Sequence, residues 1–486
     1  METFDLHSFY LTLHSSSFNR GRARVENETV KTKARDFLTI QLGNAQPQNL
    51  PCDIDSLQYY IKSKHEDILE QYRSYVQNRH TQQAWMFSDN LHATWYLFQI
   101  APTKMVDGVW LSNIHQQDRS LEIVFERLQK VYVEEIGSGE TDDTNHINIY
   151  RSLLRSITGD IIGGDPTDFL DHFLYTKFRV GEMDDRLIQG CIQMSLSLVA
   201  DEYLPELIGY NLGYEQIALH MLITSYELKE YGIDPSYFDL HITVDNMDCG
   251  HAKLALDAAR DYLSVYPEHF NRLLSGYRLS DVGPCAFDIA KNYDVDKIVQ
   301  YVFERKSRWS YALHDNLKQE KWGNTLGETM RLSDGAEICR WLADAGYFKG
   351  ETFIDTKFSS MMKRNMFGTF NQTELLYVRK WWEIQFCQRQ DERNDISEEE
   401  QVTRLCGIIK RAIHKHDKII MTHPITGEND TMENWYNRSK GDFVACLSTP
   451  HMKLKTLQSF LDGRMKNVRL TDEDRRFLMQ WCNTSC

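Results

Sequence analysis

Residues 240–251 read Leu240-His241-Ile242-Thr243-Val244-Asp245-Asn246-Met247-Asp248-Cys249-Gly250-His251. His241 and Asp245 stand four positions apart. On a helix that spacing puts imidazole and carboxylate on one face, about a turn apart, within reach of one cation. Two histidines and two aspartates in so short a stretch are costly to bury unless they coordinate something or pair with each other. The apolar Leu240, Ile242, Val244 and Leu254 around them predict a buried helix. Spacing alone leaves two readings open: metal ligands, or an Asp–His hydrogen-bonded pair inside a helical bundle.

Two further segments carry the same residue types. Val133-Glu134-Glu135-Ile136 precedes Gly137-Ser138-Gly139, and His146 follows. The glycines predict that Glu135 ends one helix and His146 starts the next, both able to point into a core. The alternative for Glu135 is a surface acid near a turn. Glu215 lies among Ile217, Ala218, Leu219 and Leu222, as a mid-helix carboxylate that faces either core or solvent. Separate helices that each contribute an inward acid or imidazole build a metal site in a bundle. Carboxylates mixed with imidazoles, with no thiolate, suit iron or manganese, whereas zinc would not need so many carboxylates. Paired Glu-x-x-His motifs are missing, and His65-Glu66 lacks the second histidine of a zinc-protease helix. No phosphate-cradling loop, Gly-x-Ser-x-Gly or dinucleotide fingerprint occurs.

The elements that must position these groups read as helices. Leu57, Tyr60, Ile61, Ile68, Leu69, Tyr72 and Val76 recur at three- and four-residue steps, predicting a helix over 56–83. Further helices are expected over 92–99, ended by Ala101-Pro102, and over 119–135. Others are expected from His146, from Thr167-Asp168, and over 191–200 and 206–231. The last begins near Ser236, after the Gly232-Ile233-Asp234-Pro235 turn, and runs past Ala258. No alternation of strands with helices appears, so the expected fold class is all-α. Arg20, Arg22 and Arg24 belong to a polar N-terminal arm. Beyond residue 295 the chain stays helical but reads as a different unit, with an amphipathic segment at 336–342, an aromatic one at 366–371 and a charged loop at 389–400. The expected domains are an arm with lead helices (1–90), a core (91–293) and a helical C-terminal extension (294–486).

Composition narrows the function classes. Ten prolines in 486 residues favour helices. A formal charge of −15 argues against a nucleic-acid partner. The ten cysteines include no Cys-x-x-Cys pair, so a disulfide scaffold or zinc ribbon is not expected, and reduced thiols fit a cytoplasmic location. The N-terminus has no secretory pattern, and no apolar run spans a membrane. The expected partner is a small-molecule substrate, with at most a second copy of the chain as a homodimer.

The order Glu135, His146, Glu215, His241-x-x-x-Asp245 and a downstream histidine resembles the haem-oxygenase-like diiron oxidase and oxygenase family, over about residues 90 to 260. Met366-Phe367-Gly368 looks like the C-terminal extension of its larger members. The resemblance implies a seven-helix haem-oxygenase-like bundle without haem. It implies two Fe²⁺ ions held by Glu135, His146, Glu215, His241, Asp245 and His251, with O₂ as co-substrate. The implied reactions are N-oxygenation, desaturation or oxidative C–C cleavage of an amino acid, amine or fatty acid. No catalytic residue beyond these ligands is assigned. One departure matters. The family pattern Asp-x-x-His would put the last histidine at 248, where this chain has Asp248. On an ideal helix Asp245 and His251 diverge by about 120°. A π-bulge or unwound turn near Gly250 would return His251 to the site; otherwise Asp248 is the ligand. His251 is the expected one, because imidazole matches the family ligand. Outside the family, the alternatives are a metal-free helical interaction protein with structural His and Asp, or a metal-dependent hydrolase.

Overall fold

The computed structural model describes residues 5–18, 27–45, 51–79, 81, 84–115, 118–137, 145–160, 168–175, 184–314, 370–393, 420–422 and 429–431. Two lead helices, α1 (Leu6–Phe18) and α2 (Asn27–Asn44), precede the long α3 (Ile54–Asn78) and the buried α4 (Asn90–Lys104). Then come α5 (Glu122–Ile136), α6 (His146–Thr158), α7 (Ile188–Leu198), α8 (Leu204–Tyr214) and α9 (Leu219–Glu230). They are followed by α10 (Ser236–Val244), α11 (His251–Val265), α12 (Phe270–Leu279), α13 (Ala286–Lys291), α14 (Val295–His314) and α15 (Gln372–Arg393).

The starts of several helices are written in their capping residues. Asp53, Asp89 and Asn145 precede α3, α4 and α6, and each side chain accepts a hydrogen bond from a first-turn N–H. α4 and α7 are apolar nearly all round and run through the centre, packed by Trp95, Tyr96, Phe98, Ile192 and Leu196. Glu227, fully buried on α9, accepts from the Tyr75 hydroxyl and from the backbone N–H groups of Trp85, Met86 and Phe87. It thereby ties α3 and the lead-in to α4 onto the bundle.

The chain divides into two compact units. The first holds the described residues up to 314, together with Gln372–Tyr377 from the start of α15. Its described residues contain no strand. Thr373 donates to the Thr158 carbonyl and Tyr377 to the Leu91 carbonyl, so this late segment is bonded into the first unit. The second unit holds the rest of α15 and a short antiparallel pair, β1 (Ile420–Thr422) with β2 (Asn429–Thr431). Among the described residues the protein is thus all-α apart from this strand pair, which a purely helical extension did not anticipate. Its signal is local: Ile420, Thr422 and Thr431 are β-branched, and Pro424 and Gly427 lie between the strands in sequence.

Several expected boundaries shift. Pro102 does not end its helix but sits inside α4, two residues before its end. The Asp168 start yields only a 3₁₀ turn, Asp168–Asp171. The helix expected over 206–231 is two helices, α8 and α9, parted at Glu215. The one expected from Ser236 past Ala258 is also two, α10 and α11, parted over 245–250. Apolar residues continue through the first break, at Ile217 and Ala218, so pattern reading fuses α8 with α9. The second break, Asp245-Asn246-Met247-Asp248-Cys249-Gly250, is mostly polar and is the unwound turn near Gly250 that would return His251 to the site. The arginines of the N-terminal arm, the segment at 336–342 and all of 366–371 except its last two residues lie outside the described residues; so does the 389–400 loop beyond residue 393. Among the described residues no helix is long and apolar enough to cross a membrane.

Candidate metal centre

All six residues singled out in the sequence are buried: Glu135 and His146, Glu215, His241 and Asp245, and His251. The folding that brings them together is a set of helix ends. Glu135 is in the last turn of α5 and His146 is the first residue of α6. Glu215 is the residue after α8, Asp245 the residue after α10, and His251 the first residue of α11. His241 lies inside the last turn of α10, three residues before its end. Helix ends suit the task, because the backbone there is free of the i→i−4 ladder on one side and can turn a side chain inward.

The donors form two groups that share Glu135. In one, Asp107, Glu135, His146 and His241 bring one ligand atom each within 4.8 Å of one another; in the other, Glu135, Glu215 and His251 do the same. Asp245 joins the second group, its Oδ1 3.4 Å from His251 Nδ1. The same Nδ1 is 3.1 Å from Glu215 Oε2 and 3.3 Å from Glu135 Oε1. Across the shared glutamate, Oε2 of Glu135 is 2.7 Å from His146 Nδ1. The rings of His146 and His241 lie 4.4 Å apart between centroids.

The outward nitrogens of two histidines are already engaged. His241 Nδ1 is 2.7 Å from the Tyr237 carbonyl, and His251 Nε2 is 2.8 Å from Glu134 Oε2. Each therefore carries its proton on the outer nitrogen when neutral, which leaves the inner nitrogen as a lone pair facing the carboxylates. Three carboxylates surround the inner nitrogen of His251, yet one N–H can serve only one of them well. Glu215 Oε1 is buried without a partner, and the close contacts of Glu135 Oε2 with His146 Nδ1 and of Asp245 Oδ1 with His251 Nδ1 lack hydrogen-bond geometry. Glu135 Oε2, His146 Nδ1, Glu215 Oε1 and Asp245 Oδ1 are thus all left unsatisfied. Buried polar atoms of this kind are expected to be satisfied, and a cation among them satisfies all four. The donor set fits metal ions, and its oxygen and imidazole chemistry fits iron.

The electrostatics agree. Burial pushes the Glu215 carboxyl well above the usual carboxylate range, with Asp245 and Glu135 adding repulsion to what His251 offsets. Burial opposes charge on His251, but Asp245, Glu135 and Glu215 outweigh it and make the imidazole far more basic than usual. Asp107 does the same for His241, pushed up to about 9 against its burial. Burial of Glu135 and Asp107 is likewise outweighed, by His146 and His251 for the first and by Lys104 and His241 for the second, so both are held below the usual range. Four carboxylates this close need positive charge among them; without metal, protons on His241, His251 and Glu215 supply it.

Asp248, the rival to His251, is exposed and lies away from the donors, in a turn where the Asn246 side chain accepts from three successive N–H groups. That turn ends one helix at Val244 and starts the next at His251, with extended backbone at Gly250. A Cβ at Gly250 would stand 1.9 Å from the Val244 carbonyl oxygen, so the tight return that delivers His251 requires glycine.

Two residues of the centre escaped sequence reasoning. Asp107 is 1 % exposed and accepts from the hydroxyls of Tyr214 and Tyr237. Its Oδ2 is 3.2 Å from His241 Nε2. A usable signal existed: an acid inside the apolar run Met105-Val106-Asp107-Gly108-Val109-Trp110. Glu134, the outer partner of His251, had none, because an acid beside an acid near a helix end reads as surface.

The wall of the centre opens on a cavity of about 420 Å³ that touches Glu135, Glu215, His241 and Asp245. That volume suits a small organic molecule. Comparison of the chain with known proteins finds no match among curated proteins and none among solved structures. Residues 94–281, which contain every donor named above, match the family described as iron-containing redox enzyme.

Proposed function

We propose that this protein is a non-haem diiron oxidase or oxygenase that uses O₂ to oxidise a small organic substrate. The observation that carries the reading is the pair of buried donor groups joined at Glu135. Asp107, Glu135, His146 and His241 would hold one ferrous ion, and Glu135, Glu215, Asp245 and His251 the other. Such a pair supplies the electrons for reducing O₂. The chain's own part is to fix the ligands and shape the cavity. Tyr237 and Glu134 orient His241 and His251 through their outer nitrogens, and Tyr214 holds Asp107. The apolar body of α4 and α7 keeps bulk water from the inner face of the centre. The substrate is an amino acid, an amine or a fatty acid, oxidised by N-oxygenation, desaturation or C–C cleavage, and the setting is the cytoplasm.

The test is metal analysis and oxygen uptake. Protein produced in iron-rich medium should hold close to two irons per chain, and Glu135→Ala should hold fewer than one. Anaerobic Fe²⁺-loaded protein exposed to O₂ with amino acids, amines and fatty acids should consume oxygen with one class. Iron bound without any oxygen uptake would favour a metal-dependent hydrolase. No metal in the wild type would leave a structural His–Asp cluster.

A further inference from the structure

The cavity beside the centre contains a cation, Lys104, whose charge helps keep Asp107 ionised without ion-pair contact, which leaves its ammonium free to face the cavity. Lys104, in the last turn of α4, is 9 % exposed and lines the cavity together with Glu135, Glu215 and His241. Among the described residues no carboxylate lies within ion-pair distance of its ammonium. The ammonium is 3.3 Å from the Tyr214 hydroxyl and sits over the rings of Tyr214 and Tyr237, 5.4 and 5.6 Å from their centroids. Aromatic faces and one hydroxyl steady a buried ammonium but do not neutralise it. The other cations on the cavity wall are engaged: Arg186 by Asp184, and Lys64, more loosely, by Asp281.

Lys104 also brings positive charge to the cavity side of the centre, where it lines the same wall as Glu135, Glu215 and His241. The cavity wall itself feels it. Burial, and after it the charge of Lys104, push the His220 imidazole down to about 3, so His220 on the same wall stays neutral and offers no competing charge. The amino end of α9 also opens on the cavity at Ala218 and Leu219, with no side-chain cap. Its dipole favours an anion in the same space.

We propose that Lys104 is the anchor for a carboxylate on the substrate, which places the rest of that molecule in the cavity against the metal centre. The proposal deepens the function stated above and rests on it for the identity of the bound molecule as substrate. It selects amino acids and fatty acids over simple amines, because a bare ammonium would meet Lys104 with no carboxylate to separate the two. A single ammonium beside a hydroxyl suits a carboxylate better than a phosphate, which is usually clamped by several donors or a guanidinium fork.

The test uses iron-loaded protein under anaerobic conditions, titrated by calorimetry with hexanoate, octanoate, hexanamide and hexylamine. At least one of the carboxylates should bind, with the amide and the amine weaker by at least about tenfold, since a charge-assisted bond is lost. Lys104→Gln should weaken the carboxylate by at least about tenfold at unchanged iron content, and Lys104→Arg should restore most of the affinity. If Lys104→Gln does not fold, the carboxylate–amide comparison and Lys104→Arg still decide. Equal binding of hexanoate and hexanamide, undiminished carboxylate binding by Lys104→Gln, or no binding of either carboxylate overturns the proposal. Carboxylate binding that depends on Lys104 in a protein that takes up no iron would keep the anchor and remove the diiron reading.

Discussion

In the proposed centre Asp107 and Glu135 would do different work from the other donors. Glu135 belongs to both donor groups, so Glu135→Ala removes a shared contact, whereas Asp107 belongs to one group only. Asp107→Asn is therefore expected to lower the iron content by about one ion per chain and leave the other ion in place, as metal analysis would read. Retention of two irons by Asp107→Asn would place the first group elsewhere. Glu134 acts one step out. Glu134→Gln keeps an acceptor for the His251 N–H but loses the charge, and iron affinity should fall about 10-fold to 100-fold with stoichiometry kept at saturating iron. A fall in saturating stoichiometry would instead make Glu134 a ligand.

At the scale of the element, the centre depends on where helices stop. Gly108 has φ +76°, and a Cβ there would stand 2.7 Å from Glu135 Cβ. The turn that carries Asp107 thus lies directly on the end of α5. Gly108→Ala should cost about 1–3 kcal/mol from the left-handed backbone alone and push Glu135 out of place, lowering both denaturation midpoint and iron content. Full iron content in that variant would mean the two segments can separate without harm to the centre. The interruption between α10 and α11 makes a second, cleaner comparison. His251→Ala should lose iron, and Asp248→Asn, on an exposed turn, should keep it. The reverse result would mean that the helix continues through Gly250 and turns Asp248 inward.

At the scale of the whole molecule, the four buried carboxylates link metal to stability. Metal that binds only the folded state adds RT ln(1 + [L]/Kd), about 2.7 kcal/mol at a hundredfold excess over Kd. Melting temperature should therefore rise on loading with Fe²⁺ and fall again with a chelator, and the rise should be smaller in Glu135→Ala. A melting temperature indifferent to metal would mean that no ion binds between these helices. The first unit also draws on residues far along the chain. Tyr377 reaches back to the Leu91 carbonyl beside the start of α4, and Tyr377→Phe should cost about 1 kcal/mol of that unit's stability by denaturant titration.

The helical class, the absence of nucleotide and hydrolase motifs and the cluster of acids and imidazoles were all legible in one dimension. Apolar periodicity and residue type are local properties, and His241 and Asp245 sit on one helix where their spacing speaks for itself. Capping residues such as Asn145 likewise announced the helix that presents His146. Tertiary structure decided the rest. Glu215 read as mid-helix because its neighbours are apolar on both sides of a break that leaves no mark in hydrophobic pattern. Asp107 belongs to a turn 28 positions from Glu135, and nothing in spacing joins them until Gly108 lets that turn lie against the Glu135 side chain. The choice between Asp248 and His251 rested on whether the backbone unwinds between residues 245 and 250. The Asn246 side chain, bonded to three N–H groups of its own turn, makes that unwinding favourable. Periodicity records which faces are apolar, whereas a metal centre is built from ends, turns and close approaches, whose energies come from partners distant in sequence.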